Sequence, residues 1–412
     1  MVTLSDIARI SGENPNSRYI PITLNTLKKG SYAYFSRQVA RGIAQGVTSF
    51  QVRVAKDVTC YPNSIVPIAG VIDHYRSKGL EFKSSRSVES HHYLSTAGML
   101  SPYESVELGR QAGFTDHVWK FTPETHYDIV SGIMFDVQRG LEVEKGVLQG
   151  IELCLNEITD NVLNHSLPSG RTDVAPSGFV MAQVHDSAER IAITVFDAGQ
   201  GILKSLSIAE PQIQSSKEAI TKALEKGVTS GNGRGYGLWI LDRIVQESSG
   251  SLEIVSGDSR FVRVNPEGDE VARASFSGVR QVLDGTTLVD FQLKTRKSMS
   301  LADVLGYEPV NLWLEQHEDE LDENSARIVV KNESLGFGTR MAAREVRTLT
   351  LNLSKEFDGD VVLDFSGIDL ISASYADELV AKLLQDSKVK DRLILANLND
   401  ECRVVIGEVV GR

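Results

Sequence analysis

Between Phe50 and Ala55 the run FQVRVA alternates apolar and polar residues, and from Ile65 the apolar positions change to a rhythm of three and four: Ile65, Ile68, Val71, Ile72 and Tyr75. Period two marks a strand with one buried face, and the longer period marks a helix with one apolar stripe. A helix is expected over IVPIAGVIDHYRSKG (65–79), ended by its glycine, with the extended LEFKSS after it. The start of the chain therefore reads as strand, helix, strand. A second helical rhythm runs through Val143, Val147, Ile151, Leu155, Ile158 and Val162 and stops at the breaker LPSG (167–170). FVMAQVHD (179–186) and RIAITVFDAGQGI (190–202) follow as neighbouring strands. After a variable stretch from Leu203 to Gly235 come the helix GLWILDRIVQESSG and the strands SLEIVS and TTLVDFQL. Beyond 325, RIVVK, a helix over roughly 339–351, VVLDFSG, a helix over 374–385 and RLILANL alternate once more. Strands alternating with helices predict α/β (α+β) layers. The divisions expected are an α/β module over 1–125, a central domain over 126–293, a linker over 294–325 and a second small α/β module over 326–412.

Composition narrows the class. The 412 residues carry a net charge of -12, which argues against a protein that coats nucleic acid, because binding to phosphates needs concentrated lysine and arginine. The acidic run EQHEDELDEN (315–324) reads as a solvated linker or helix end. Cys60, Cys154 and Cys402 are far apart and lack any CxxC spacing, so neither a disulfide framework nor a structural zinc site is expected. No apolar run reaches the ~20 residues needed to span a bilayer. A cytoplasmic protein without membrane association is expected.

The chemistry concentrates in three places. LNEITDNVLNHS (155–166) puts asparagine, aspartate and glutamate into a helix, although asparagine and aspartate are poor helix formers. At 100° per residue Glu157, Asn161 and Asn164 fall within about 60° of one another, away from the apolar stripe. Glu157 and Asn161, one turn apart, are placed to address one ligand together. In DAGQGI, Asp197 ends a strand, and Gly199 and Gly201 permit a turn with close backbone approach. A half-buried aspartate there suits an exocyclic amine such as that of adenine. In SGNGRGYGLWIL, glycines 231, 233, 235 and 237 run into an apolar helix, whose unpaired N–H groups and dipole suit a polyphosphate, with Arg234 as a charged donor. The order differs from a dinucleotide fold, and the GK[ST] ending of a P-loop is missing.

ExxxN on a helix, then DxGxG, then GxGxGxGL opening a helix, then GTT before a strand resembles the GHKL ATP-binding superfamily of gyrase, heat-shock chaperone, mismatch-repair and histidine-kinase ATPases and anti-sigma serine kinases. The match covers roughly 141–293. It implies a Bergerat-type α/β sandwich with ATP and Mg²⁺ as cofactors. It further implies that Asn161 holds the Mg²⁺, that Glu157 orients or deprotonates the attacking water or hydroxyl, and that Asp197 reads the adenine amine in a pocket shaped by Gly199 and Gly201. Gly233, Arg234, Gly235, Tyr236, Gly237 and Leu238 would wrap the phosphates at the end of a lid, and Thr287 would back Asp197. For Asn164 and His165 a phosphate or lid contact and a structural role stand side by side. The wording KGVTSGNGRGYGL, with a short lid, is most similar to the anti-sigma and histidine-kinase branch. The upstream histidines His117 and His126 lack a phosphoacceptor context, and no receiver domain follows.

VVLDFSGIDLISASYADELVAKLL resembles the STAS-like domains related to anti-sigma-factor antagonists, over about 326–406. In those a serine at the turn is phosphorylated; here Ser374 is the counterpart and equally a candidate helix N-cap. The N-terminal module, through VRVAKDVTCYPNSIVPIAGVIDHY, faintly resembles the same kind. A GHKL core flanked by two such modules implies a regulatory protein with a protein partner, with a homo-oligomer as one form of it. Two functions follow: an enzyme that hydrolyses ATP or phosphorylates a protein serine with Glu157 as base, or an ATP-dependent assembly switch or scaffold, for example in a stress or phage-defence system, with little turnover.

Overall fold

The computed structural model describes residues 19–28, 30–167, 175–228, 237–265, 272–279, 283, 285–307, 309, 311–317, 321, 325–356 and 358–411. The chain opens with β1 (Ile20–Leu24), α1 (Ser31–Ala44), β2 (Ser49–Val54), α2 (Pro62–Arg76) and β3 (Glu81–Ser84). The three strands are parallel, in the order β1-β2-β3. Ile22, Leu24, Phe50, Val52 and Phe82 alternate inward, as the period-two pattern requires, and share a core with α1 and α2. The second helix starts earlier than the rhythm indicated, with Pro62 in its first turn, where a missing N–H costs nothing. It is buried from Ser64 to Ile72 without a break, so it has no solvent stripe across its middle.

The reason lies in the next layer. β4 (Trp119–Phe121), β5 (Gly178–His185), β6 (Arg190–Asp197), β7 (Ser251–Ser256), β8 (Ser259–Val264), β9 (Arg273–Gly278) and β10 (Thr287–Lys294) form one sheet in the order β4-β5-β6-β10-β7-β8-β9, every neighbour antiparallel. One face carries Val180, Ile193, Val195, Val289 and Ile254 beneath α3 (His126–Gly140), α4 (Val147–His165) and α7 (Gly237–Glu247), with the short α5 (Gly201–Leu206) and α6 (Ser216–Ala223) between α4 and α7 in the chain. The opposite face carries Phe179, Phe196, Leu288 and Val255 into the core of the N-terminal module, where α2 packs on β5 and β6. Thus α2 lies between two sheets.

Two expectations change here. β4 comes from before residue 126 and is an edge strand of the central sheet, so that sheet starts earlier in the chain than the expected division. Its three residues are too short to show a period. The long helix begins at Val147 behind Gly146, which is left-handed (φ 77°). Val143, counted as helical from its spacing, lies before the helix and is buried, and its N–H donates to Asn352 Oδ1 at 3.0 Å. The hairpin β8–β9 was not legible at all.

The C-terminal module repeats the three-strand parallel order with β11 (Ser325–Val329), β12 (Asp360–Asp364) and β13 (Leu393–Ala396), and adds α8 (Arg340–Glu356) and α9 (Asp400–Val410). Between β12 and β13 a helix opens at Ala373–Ala376, passes through a π-helical stretch at Asp377–Ala381 and ends with Lys382–Gln385. Its N-cap is Ser372, whose hydroxyl accepts from the Tyr375 N–H at 3.0 Å. Ser374 is therefore not the cap; it is an exposed residue of the first turn. The module is seated on the central domain through polar groups. Asn352 Nδ2 donates to the carbonyls of Gln138 (2.9 Å) and Leu141 (3.0 Å), Gly146 N–H donates to Glu356 Oε1 (3.0 Å), and Arg139 pairs with Glu333. Of the expected acidic linker, 318–320 and 322–324 lie outside the described residues. The rest of 294–325 is not a solvated tether: Leu301 and Leu305 are core residues, and the buried His317 meets Gln138 Oε1 at 3.1 Å.

Candidate functional site

The middle of α4 is fixed by its apolar stripe. Ile151, Leu155, Ile158 and Val162 are buried, which turns Glu157 and Asn161 to another side, where both are half-buried. That side meets the first residue of α7. A Cβ built on Gly237 would lie 2.5 Å from Asn161 Nδ2 and 3.0 Å from Glu157 Oε2. With glycine there, the start of α7, where a helix presents unpaired N–H groups, comes close to the carboxamide and the carboxylate without displacing either side chain. Leu238, next along α7, is half-buried and packs against the core. Asn164 is exposed, and His165 is half-buried with its imidazole pushed towards the neutral form by burial. Gly233, Arg234, Gly235 and Tyr236 lie outside the described residues.

Glu157 holds its proton more tightly than an ordinary glutamate, first through burial and then through the neighbouring Asp160. Asp160 in turn stands at ion-pair distance from His126, with Oδ1 to Nε2 at 3.2 Å. His126 is buried at the start of α3. The sequence reading considered this histidine only as a phosphoacceptor, and nothing in its local wording pointed to Asp160.

The second cluster stands where β6 ends. Asp197 is buried, accepts from the Gly199 N–H at 2.9 Å, and is hydrogen-bonded by the Thr287 side chain, its register partner on β10. The turn that follows is tight. A Cβ on Gly199 would sit 2.3 Å from the Ser166 carbonyl oxygen, so β6 and the end of α4 touch backbone to backbone. Gly201 (φ 75°) and Gly285 (φ 81°) are left-handed, and a Cβ on Gly285 would strike the Gly199 oxygen at 2.3 Å. The N–H of Ile202, in α5 (Gly201–Leu206), donates to Ser256 Oγ at 2.9 Å. Gly285 and Ser256 belong to this cluster and were not singled out from sequence; GTT had drawn attention only to its last threonine.

Burial pushes the Asp197 carboxyl up to about 7, against the pull of its two hydrogen bonds. On the opposite face, burial also raises Asp290 to about 6 and Glu253 to about 8. The native state therefore holds protons that the unfolded chain, with carboxylates near 4, has released. Their contribution to stability is full below about pH 4 and is lost as pH rises through the folded values. In urea titrations Asp197→Asn is expected to gain stability relative to the parent between about pH 5 and 7.5; a pH-independent difference would contradict the buried proton.

The matches to known families fall on these elements. Residues 146–294 match the family described as "Histidine kinase-, DNA gyrase B-, and HSP90-like ATPase". The centre of the chain is a GHKL ATPase domain. Its matched span contains α4, the Asp197 turn, α7 and β10, hence both clusters. Residues 342–402 match a STAS-like domain of unknown function, so a STAS-like module follows the GHKL domain. No curated protein matches the sequence significantly. Among solved structures, the 43K ATPase domain of Thermus thermophilus gyrase B, in complex with an aminocoumarin, aligns at 15% identity over 40% of this chain and 39% of its own, with a TM-score of 0.20. The topoisomerase IV ATP-binding domain of Francisella tularensis, in complex with a small-molecule inhibitor, aligns at 14% identity over 49% and 48%, with a TM-score of 0.22. The chain thus spans less than half the length of either. Among the described residues no helix is long and apolar enough to cross a membrane.

Proposed function

We propose that the GHKL domain binds Mg-ATP between α4, the β6–β10 strand ends and the start of α7, and that Glu157 uses it to hydrolyse ATP or to phosphorylate a protein serine. The observation that carries this reading is the contact of Gly237 with both Asn161 and Glu157. It brings a carboxylate, a neutral amide and a helix N-terminus to one point, while Asp197 and Thr287 wait at a separate, buried one. Adenine suits the second point, because a carboxylate accepts from its exocyclic amine. The residues also fit the ion: a neutral amide oxygen is a hard ligand of the kind Mg²⁺ takes while keeping phosphate oxygens and waters. When bound, Mg²⁺ would neutralise charge on the phosphates. Asn161 would hold it, Glu157 would take a proton from the attacking oxygen, and Asp197 would fix the base.

The raised proton affinity of Glu157 supports the role of base, since a carboxylate is more basic when half-buried beside Asp160. Incubation with γ-labelled ATP and Mg²⁺ is expected to release labelled phosphate or to label protein, and Glu157→Gln is expected to stop both. Retention of all label on ATP, with ATP bound, would reject the enzyme reading.

One observation favours the assembly switch. The STAS-like module is bonded to the very start of α4, through Gly146 and Glu356, and to α3 through Asn352 and Arg139. A nucleotide that shifts α4 would then be felt by the module, and the module's own partner would be a protein. Ser374, exposed in a helix's first turn, is accessible to such a partner or to a kinase.

A further inference from the structure

The N-terminal module lies behind the GHKL sheet, and its contacts fall on particular rows of that sheet. Phe179, Phe196, Leu288 and Val255 are Cα partners across β5, β6, β10 and β7, and all four side chains enter the core of the N-terminal module. The next row contains Asp197, Thr287 and Ser256. Because successive residues of a strand point to opposite faces, each of these has its chain neighbour on the module side: Phe196 behind Asp197, Leu288 behind Thr287, Val255 behind Ser256. The three residues that build the base end of the nucleotide site are thus backed, strand by strand, by three residues held in another module.

The grip is close. A Cβ on Gly70, in the middle of α2, would lie 2.4 Å from the Phe196 ring and 3.1 Å from that of Phe179, so the α2 backbone rests directly on both rings. Two rows from Phe196 and Leu288, away from Asp197 and on the same face, Asn63 Nδ2 reaches Asp290 Oδ2 at 3.4 Å, and the other oxygen of Asp290 takes the Thr194 hydroxyl at 2.6 Å. Asp290 is buried and carries a raised proton affinity, so the polar link is made where water does not compete. A well-packed layer cannot absorb a shift of α2 without moving these rings.

We propose that the N-terminal module is a positioning element for the nucleotide pocket: α2, through Gly70 and Asn63, sets where β6 and β10 present Asp197 and Thr287. Whatever displaces α2 changes ATP affinity, and bound ATP by the same amount changes the free energy of that displacement, as linkage requires. This rests on the reading that Asp197 and Thr287 face the base of ATP. Gly70 and Asn63 touch no substrate and act through the sheet.

Gly70→Ala in the full chain tests it, read by calorimetric titration with Mg-ATP. The added methyl must push Phe196 aside, and affinity is expected to fall about tenfold, within the usual span of coupling between sites. Gly70→Ala with Phe196→Leu restores the space, and most of the affinity is expected to return. A folded Gly70→Ala protein, with parental near-ultraviolet circular dichroism, whose affinity stays within about twofold of the parent would overturn the proposal. Should that variant not fold, Asn63→Ala is titrated instead: a loss of about threefold or more supports the coupling, and an unchanged affinity sinks it. If the parent itself binds no ATP, the nucleotide reading fails on its own. The positioning is then judged by amide exchange at 197–201 and 286–288, faster in Gly70→Ala if α2 holds these strands and unchanged if it does not.

Discussion

Asn161→Ala is expected to remove measurable Mg-ATP binding. The carboxamide stands on the face of α4 that meets Gly237, with Nδ2 2.5 Å from where a Cβ would sit. If Asn161 holds the ion as proposed, the variant would deprive it of a neutral protein ligand and the phosphates of the charge that would hold them against the helix N-terminus. A loss beyond about 100-fold, some 2.7 kcal/mol, is expected in calorimetry. Asp197→Ala should do the same at the other end of the ligand. There the loss leaves the buried amine donor of the base unpaired, at a cost of about 1–3 kcal/mol plus the bond itself. Undiminished affinity in either variant would remove the site from this part of the molecule.

Glu157→Ala is expected to behave differently, and the contrast decides between the two functions. On the proposed reading Glu157 would act as a base rather than a ligand, so ATP affinity is expected to stay within a few-fold of the parent while turnover falls by about 10²–10⁴, the usual worth of a positioned general base. Steady-state phosphate release against bound nucleotide separates these quantities. If the variant binds ATP, releases no phosphate and still changes its mass or its partner with nucleotide as the parent does, turnover is not the task and the assembly switch stands. If it loses both, Glu157 carries the function through chemistry.

Much of the GHKL domain was legible because its chemistry is local. Glu157 and Asn161 are one helical turn apart, so their shared face follows from 3.6 residues per turn, and the period of Ile151, Leu155, Ile158 and Val162 says which side is buried. Asp197 with its two glycines declares a strand end and a tight turn. The α/β alternation of the C-terminal module was legible for the same reason, while its STAS-like character came from the resemblance of VVLDFSGIDLISASYADELVAKLL. The helix cap went to Ser374 rather than Ser372 because both are serines two residues apart, and choosing between them takes backbone angles. The acidic composition of 315–324 hid the fact that His317 is buried and the preceding Leu301 and Leu305 are core, since a charge run dominates any local average.

The sequence by itself determined the longer helices and most strands, their apolar positions and the residue types proposed to hold a nucleotide, all of which depend on neighbours within a few positions. Only the tertiary structure decided which of those faces meet. It put His126 on Asp160, Gly285 and Ser256 around the Asp197 turn, and Gly70 on Phe196, pairs separated by between 34 and 126 positions in the chain or joined only through strand register. It also showed why α2 lacks a polar stripe across its middle: a helix between two sheets has no face left for water. The physical reason is that packing is decided by shape across layers, and the period of a sequence records which side is apolar without recording what will cover it.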